Sequence, residues 1–150
     1  RHFIESGEAM LARLRPGDML AACFLDLDHF KRVNDEGGHR LGDQLLSAVA
    51  QCLLDLEGHG RLIGRVGGEE FAMLLPGMRA HDAERFIEAV CERIAKLSVD
   101  GFSCTASVGV AEWHPGETLS DLLHRADLAL LSAKRNGRNQ VVKWSEGVAA

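Results

Sequence analysis

Apolar and polar positions along this 150-residue chain switch between two periods, and the switches mark out its elements. Phe3, Ile4, Met10, Leu11 and Leu14 form an imperfect helical pattern over Arg1 to Leu14, which stops before Pro16-Gly17. A continuous apolar run from Met19 to Leu25 predicts a strand that leads into Asp26-Leu27-Asp28-His29-Phe30-Lys31. Phe30 to Asn34 then predicts a short helix, and Gly37-Gly38 a flexible break. Leu41, Leu45, Ala48, Val49, Cys52, Leu53 and Leu56 recur at helical spacing, which places Asp43 on the first turn of a long amphipathic helix.

The next pair of apolar runs, one ending at Ile63 and the other covering Ala72 to Leu75, flanks Gly67-Gly68-Glu69-Glu70-Phe71. This predicts a β-hairpin whose two glycines supply the positive φ angles of a tight turn. Ala83, Phe86, Ile87, Val90, Ile94 and Leu97 predict a packing helix with no chemistry of its own. Phe102 to Ala111 reads as a strand with Val108-Gly109-Val110 buried at its centre, Gly109 permitting a close backbone approach. Thr118 or Ser120 stands where a last helix would be capped. That helix has Leu119, Leu122, Leu123, Ala126, Leu130 and Ala133 as its core face, and Val141 to Trp144 follows as a final strand. Strands and helices alternate without the glycine fingerprint of a Rossmann fold or a Walker loop, which points to an α+β sandwich.

Composition narrows this to one ordinary globular domain: 46% of residues are hydrophobic and 26% charged. No run approaches the roughly 20 apolar residues of a spanning helix, and the N-terminus lacks a signal-peptide pattern. A net charge of -5 argues against nucleic acid as a partner, and nothing suggests membrane contact. Cys23, Cys52, Cys91 and Cys104 form no CxxC pair and have apolar neighbours, so they read as reduced core thiols of a cytoplasmic protein.

The candidate chemistry lies in two acid clusters. Alternation puts Asp26 on the strand face shared by Leu20, Ala22 and Phe24, where an unpaired carboxylate is costly. Glu69 and Glu70 repel each other at the hairpin tip and gain nothing for a core. If the two strands are neighbours, Asp26 and Glu69 meet over one Mg²⁺, an ion that fills its shell with waters and substrate phosphates. That is the pattern of metal-assisted phosphoryl or nucleotidyl transfer. On residue type alone, Asp43 reads as a complement to a helix N-terminus and Asn34 as a turn or cap residue. Lys134, Arg135 and Arg138 equally read as cations complementing a helix C-terminus.

Gly67-Gly68-Glu69-Glu70-Phe71 resembles the signature of the GGDEF domains, the diguanylate cyclases that make cyclic di-GMP from two GTP. The match continues through Asp26 to Asp35, Gly38-His39, Gly42-Asp43, Ser107 to Ala111, Arg125-Ala126-Asp127 and Ala133 to Asn139, covering nearly the whole chain in the family's order. The resemblance implies a single GGDEF domain over residues 1–150: a central, mostly antiparallel sheet of about five strands flanked by helices, related to the nucleotidyl cyclase and polymerase palm. It implies that Asp26, the carbonyl of Leu27 and Glu69 bind Mg²⁺, with Mn²⁺ as a substitute and Glu70 assisting. Asp26 and Glu69 are then the catalytic pair.

By the same resemblance Asn34 and Asp43 read the guanine edge, since a carboxylate accepts from both the ring N–H and the exocyclic amine. Lys134 and Arg138, joined by Lys31, are implied to bind GTP phosphates, and His39 to orient the loop or touch the nucleotide. A homodimer is implied because one domain presents one nucleotide. The family segment that precedes the first helix is missing, so a fragment of a longer protein is expected. Where product-inhibited members carry Arg-x-x-Asp, this chain has Gly58-His59-Gly60-Arg61, which implies loss of that allosteric site. Gly37, Val66 and Leu131 replace expected aromatics but remove no ligand. The alternatives are a catalytically idle GTP- or cyclic di-GMP-binding regulatory domain and, behind it, a purely dimer-forming interaction domain.

Overall fold

β1 (Leu20–Leu27) is apolar on both sides because helices cover both faces of the sheet it centres. The computed structural model describes residues 2–146. β1 pairs antiparallel with β3 (Glu70–Pro76) on one side and with β4 (Ala106–Glu112) on the other. β2 (Leu62–Arg65) extends the sheet antiparallel beyond β3, and β5 (Val141–Lys143) lies parallel to β4, giving the order β2-β3-β1-β4-β5. The expected α+β class, with five mostly antiparallel strands and flanking helices, is the one observed.

Alternation along β1 divides the core into two layers. Ala21, Cys23, Leu25 and Leu27 pack with Phe30 and Val33 of α2 (Phe30–Gly37), Leu41, Leu45 and Val49 of α3 (His39–Leu54), and Ile87 and Val90 of α4 (Ala80–Ala95). Leu20 and Ala22 pack instead with Phe3 of α1 (His2–Ala12) and with Leu119, Leu122 and Ala126 of α5 (Leu119–Arg135). The same period assigns Asp26 to the α5 side. Thr118 caps α5, its hydroxyl accepting from the N–H of Asp121 at 3.1 Å. The helix then crosses β4 at backbone contact: a Cβ on Gly109 would stand 2.0 Å from the Ala126 carbonyl oxygen and 2.2 Å from the Leu130 nitrogen.

Several boundaries differ from expectation for local reasons. α2 continues past Asn34 to Gly37, and the break that follows is one residue, Gly38 at φ 86°, in the left-handed region that favours glycine. Gly38 donates back to the Asn34 carbonyl and accepts from the Gly42 N–H, so the junction is hydrogen-bonded and not loose. Because α3 starts at His39, Asp43 falls in its second turn, beyond the main reach of the helix N-terminal dipole. Phe102 is not in β4; it bridges back to Val99 around Asp100-Gly101. α1 ends at Ala12, and Trp144 lies outside β5 though its N–H still donates to the Val110 carbonyl. Cys23, Cys52 and Cys104 are buried free thiols, whereas Cys91 is half-buried. Among the described residues no helix is long and apolar enough to cross a membrane.

Candidate functional site

Asp26 lies one residue from the C-terminal end of β1, opposite Glu70 on β3 and Ser107 on β4. It is 8% exposed, and its cost is met by Lys134 from the last turn of α5, whose Nζ stands 2.5 Å from Asp26 Oδ2. The partner that the buried aspartate required is therefore a lysine distant in sequence. Glu69 sits in the turn just before β3, and its carbonyl accepts from the Leu27 N–H at 3.3 Å. The neighbouring-strand condition for bringing Asp26 and the hairpin acids together is thus met through β3. Burial raises the Glu70 carboxyl above its ordinary value, the charge of Asp26 adds to this, Lys134 opposes it, and Glu69 and Asp127 add further repulsion. Three other acids therefore act on Glu70, against the one ammonium of Lys134.

The turn itself does not rest on the conformational freedom of its glycines. Neither Gly67 nor Gly68 has a positive φ. A Cβ on Gly67 would meet Glu70 Oε1 at 2.5 Å, the end of a flexible side chain that can swing aside, while Gly68 faces open surroundings. The Val66 N–H donates to the Glu70 carbonyl at 2.9 Å, and the Arg65 guanidinium clamps the turn, donating to the Gly67 carbonyl at 3.2 Å and to that of Gly68 at 3.0 and 2.6 Å. Sequence reasoning missed Arg65; a cation two residues ahead of a glycine pair at an acid-tipped turn was the available signal.

Asp28 was missed as well. It is buried and accepts from Thr105 Oγ1 at 2.6 Å, Ser107 Oγ at 2.6 Å and the Asn139 N–H at 3.0 Å. Three donors occupy its carboxylate, so Asp28 is a knot that ties the end of β1 to the approach to β4 and to the segment after α5. Asn139 follows Arg138, which has φ 65° and whose N–H donates to the Ala133 carbonyl. Asp28 thereby fixes where Arg138 stands. Among the described residues the Arg138 guanidinium has no hydrogen-bond or ion-pair partner.

Asn34 and Asp43 belong to the opposite layer. A Cβ on Gly42 would overlap Asn34 Oδ1 at 1.7 Å, so the α2–α3 junction presses the Asn34 amide against the backbone next to Asp43. Asp43 is exposed and borders an open depression with Arg40, Gln44 and Ser47. His39, the first residue of α3, and Lys31, in the first turn of α2, are both exposed. The candidate residues thus fall into two groups on either side of the sheet: Asn34 and Asp43 on one, Asp26, Glu70 and Lys134 on the other. A ligand using both must pass over the end of β1. A separate cleft of about 430 Å³ on α2, lined by His29, Arg32, Glu36 and Phe102, takes in none of them. Arg61, at the altered allosteric position, donates to the Leu56 carbonyl at 3.1 Å and lies 4.6 Å above the Phe86 ring, so its charge is engaged internally.

Among the described residues, no three His, Cys, Asp or Glu side chains gather closely enough to cage a metal. The donor set nevertheless suits Mg²⁺, which is commonly held by one or two carboxylates plus substrate phosphates, and Asp26 with Glu70 across the ladder supplies hard oxygens of that kind.

An α+β domain that gathers carboxylates and a lysine at one end of its central strand is a candidate for nucleotide chemistry. The family model described as "Diguanylate cyclase, GGDEF domain" matches residues 1–140, and the chain belongs to the GGDEF domain family. It is 40% identical over 140 residues to the diguanylate cyclase VdcA of Vibrio cholerae, covering 89% of this chain and 41% of that protein. It is also 40% identical over 137 residues to the cyclic di-GMP phosphodiesterase NbdA of Pseudomonas aeruginosa, covering 89% of this chain and 17% of that one. Among solved structures, the active GGEEF domain of a diguanylate cyclase from Vibrio cholerae superposes with a TM-score of 0.84 at 31% identity, over 97% of this chain and 94% of that chain. The chain thus spans less than half the length of these curated relatives.

Proposed function

We propose that this domain condenses two GTP into cyclic di-GMP with release of two pyrophosphates, as one half of a homodimer, in the cytoplasm and with Mg²⁺ or Mn²⁺. The observation that carries the reading is the meeting of Asp26, Glu69 and Glu70 on paired backbone at one end of the sheet, with Lys134 against Asp26. A bound divalent ion supplies charge that polarises the α-phosphate and acidifies the attacking 3′-hydroxyl. Asp26, the Leu27 carbonyl and Glu69 would hold it, with Glu70 assisting. In each of two equivalent steps the 3′-oxygen of one GTP bonds to the α-phosphorus of the other while the bond to pyrophosphate breaks. Glu69 is assigned first to the metal and second to accepting the hydroxyl proton. Lys134, Arg138 and Lys31 balance phosphate charge, Asn34 and Asp43 read guanine, and His39 orients the loop at the start of α3. The internal engagement of Arg61 supports the absence of a product-inhibition site there.

A second reading, an idle GTP- or cyclic di-GMP-binding regulatory domain, is favoured by the similarity to a protein named as a phosphodiesterase. Product formation from GTP and Mg²⁺ over a range of protein concentrations separates the two, with Glu69→Ala alongside. The cyclase reading expects activity that rises faster than linearly with protein and is lost in the variant. Nucleotide binding without product, even when dimerisation is forced, would establish the regulatory reading instead.

A further inference from the structure

Lys134 is the cation in contact with Asp26, and its ammonium cannot serve two partners at once. At 2.5 Å from Oδ2 it occupies one side of a carboxylate that is otherwise buried between β3, β4 and α5. A divalent ion ligated by the same carboxylate would stand beside that ammonium, and two cations so close in a partly desolvated place repel strongly. The geometry therefore requires Lys134 to leave when a metal arrives. It has somewhere to go only if anionic oxygen comes with the metal, because its flexible stem starts from the last turn of α5 and the surrounding side chains, Glu70 among them, hold their own charge balance through it. Arg138 differs: its guanidinium is unpaired among the described residues and makes no contact with Asp26.

Resting on the cyclase reading, we propose that Lys134 is an exchangeable counter-ion: it neutralises Asp26 until a divalent cation takes its place, and then moves to the nucleotide's phosphates. Metal alone must displace Lys134 without compensation. Metal with triphosphate gives Lys134 a new partner, so each ligand raises the affinity for the other, and linkage makes the coupling reciprocal. Lys134 also guards the site against a metal that comes without substrate.

The test is Mn²⁺ binding, followed by the electron paramagnetic resonance of the free ion, without nucleotide and then with an α,β-methylene analogue of GTP. Lys134→Met is expected to bind Mn²⁺ alone about tenfold more tightly than the wild type and to lose most of the tightening caused by the analogue, a coupling of ordinary size. Arg138→Met weakens analogue binding but leaves the affinity for Mn²⁺ alone within about twofold, inside the usual spread for a residue that does not touch the site. Lys134→Gln, whose amide can still donate to Asp26, carries the same expectation should the methionine variant fold poorly. Thermal unfolding gives a second readout, with Mn²⁺ raising the Tm of the lysine variants more than that of the wild type. Equal or weaker binding of Mn²⁺ alone by both lysine variants would overturn the exchange. Tighter Mn²⁺ binding with no analogue bound by any of the proteins would keep the counter-ion role and sink the cyclase reading.

Discussion

A single methyl group added at Gly109 tests the packing on which the site depends. The Cβ of Gly109→Ala would lie 2.0 Å from the Ala126 carbonyl oxygen, 2.2 Å from the Leu130 nitrogen and 2.8 Å from the Ala129 carbonyl carbon. All three are backbone atoms of α5, so no rotamer change relieves the clash. Carbon-to-oxygen contacts settle at about 3.3 Å or more, and α5 must therefore lift off β4 by roughly 1 Å. Overpacking that side chains can absorb costs about 1 to 3 kcal/mol, and displacing a helix backbone belongs at or above the top of that range. At roughly 2 to 4 °C per kcal/mol for a domain of this size, a loss of about 3 kcal/mol lowers Tm by about 6 to 12 °C. Circular dichroism melts would measure it, with Gly68→Ala as the contrast. Gly68 has nothing within 4 Å of an added Cβ and no positive φ, so that variant stays within about 0.5 kcal/mol of the wild type. Because α5 carries Lys134, the same lift draws Nζ away from Asp26 and changes Mn²⁺ binding below the melting range. A Gly109→Ala protein melting within about 2 °C of the wild type would show that α5 does not sit on β4 at backbone contact, and the placement of Lys134 would fall with it.

Asp28→Asn replaces one acceptor oxygen by an amine facing hydroxyl and N–H donors, so one or two of its three hydrogen bonds are lost at about 1.5 to 3 kcal/mol for each bond to a charged group. A fall of about 2 to 4 kcal/mol in urea unfolding, with weaker nucleotide binding through the loosened Arg138 segment, is expected; a change under about 0.5 kcal/mol would refute the knot. Burial first, then the nearby Asp28 charge, pushes the Cys104 thiol up to about 11; burial, Asp28 and Glu88 push Cys91 up to about 12. Burial raises Cys23 as well. At pH 8 the Cys104 thiol should therefore react with a disulfide reagent about two hundred-fold more slowly than an ordinary cysteine of pKa about 8.5, and Cys91 about two thousand-fold more slowly; labelling of Cys91 at the ordinary rate would contradict the assignment. These thiols keep their protons longer folded than unfolded, so their contribution to stability is full below about pH 8.5 and declines as pH rises toward the native values, which urea midpoints at pH 8 and pH 10 would show.

The elements were legible because hydrophobic period is a local property, and even the close approach at Gly109 could be read from one glycine between two valines. The requirement that Asp26 have a partner was legible too, from the apolar residues sharing its strand face, but the identity of that partner was not. Lys134 lies 108 residues away, and pairing across such a distance depends on which helix ends over which strand. Boundaries failed where one residue decided them: Gly38, by closing α2 and opening α3, moved Asp43 from first turn to second. The glycines of the hairpin were read for conformational freedom, yet neither takes a positive φ, because the turn is closed instead by the Arg65 guanidinium on the Gly67 and Gly68 carbonyls.

The two aspartates of Asp26-Leu27-Asp28 carry the argument furthest. Two residues apart, they would share a face if the strand continued, and sequence alone assigns them one kind of environment. β1 ends at Leu27, however, and His29 takes φ 54°, so the chain leaves the sheet just as Asp28 is reached. Asp26, still inside the ladder, points with Phe24 and Ala22 toward α5 and meets the single ammonium of Lys134. Asp28, just beyond it, meets two hydroxyls and a backbone N–H and is fully used by the fold. A carboxylate held by one flexible cation can exchange that cation for another, whereas one held by three fixed donors has no reason to. On the proposed function, ligand chemistry therefore falls to the first aspartate and architecture to the second, and the difference between them is the place where the strand stops.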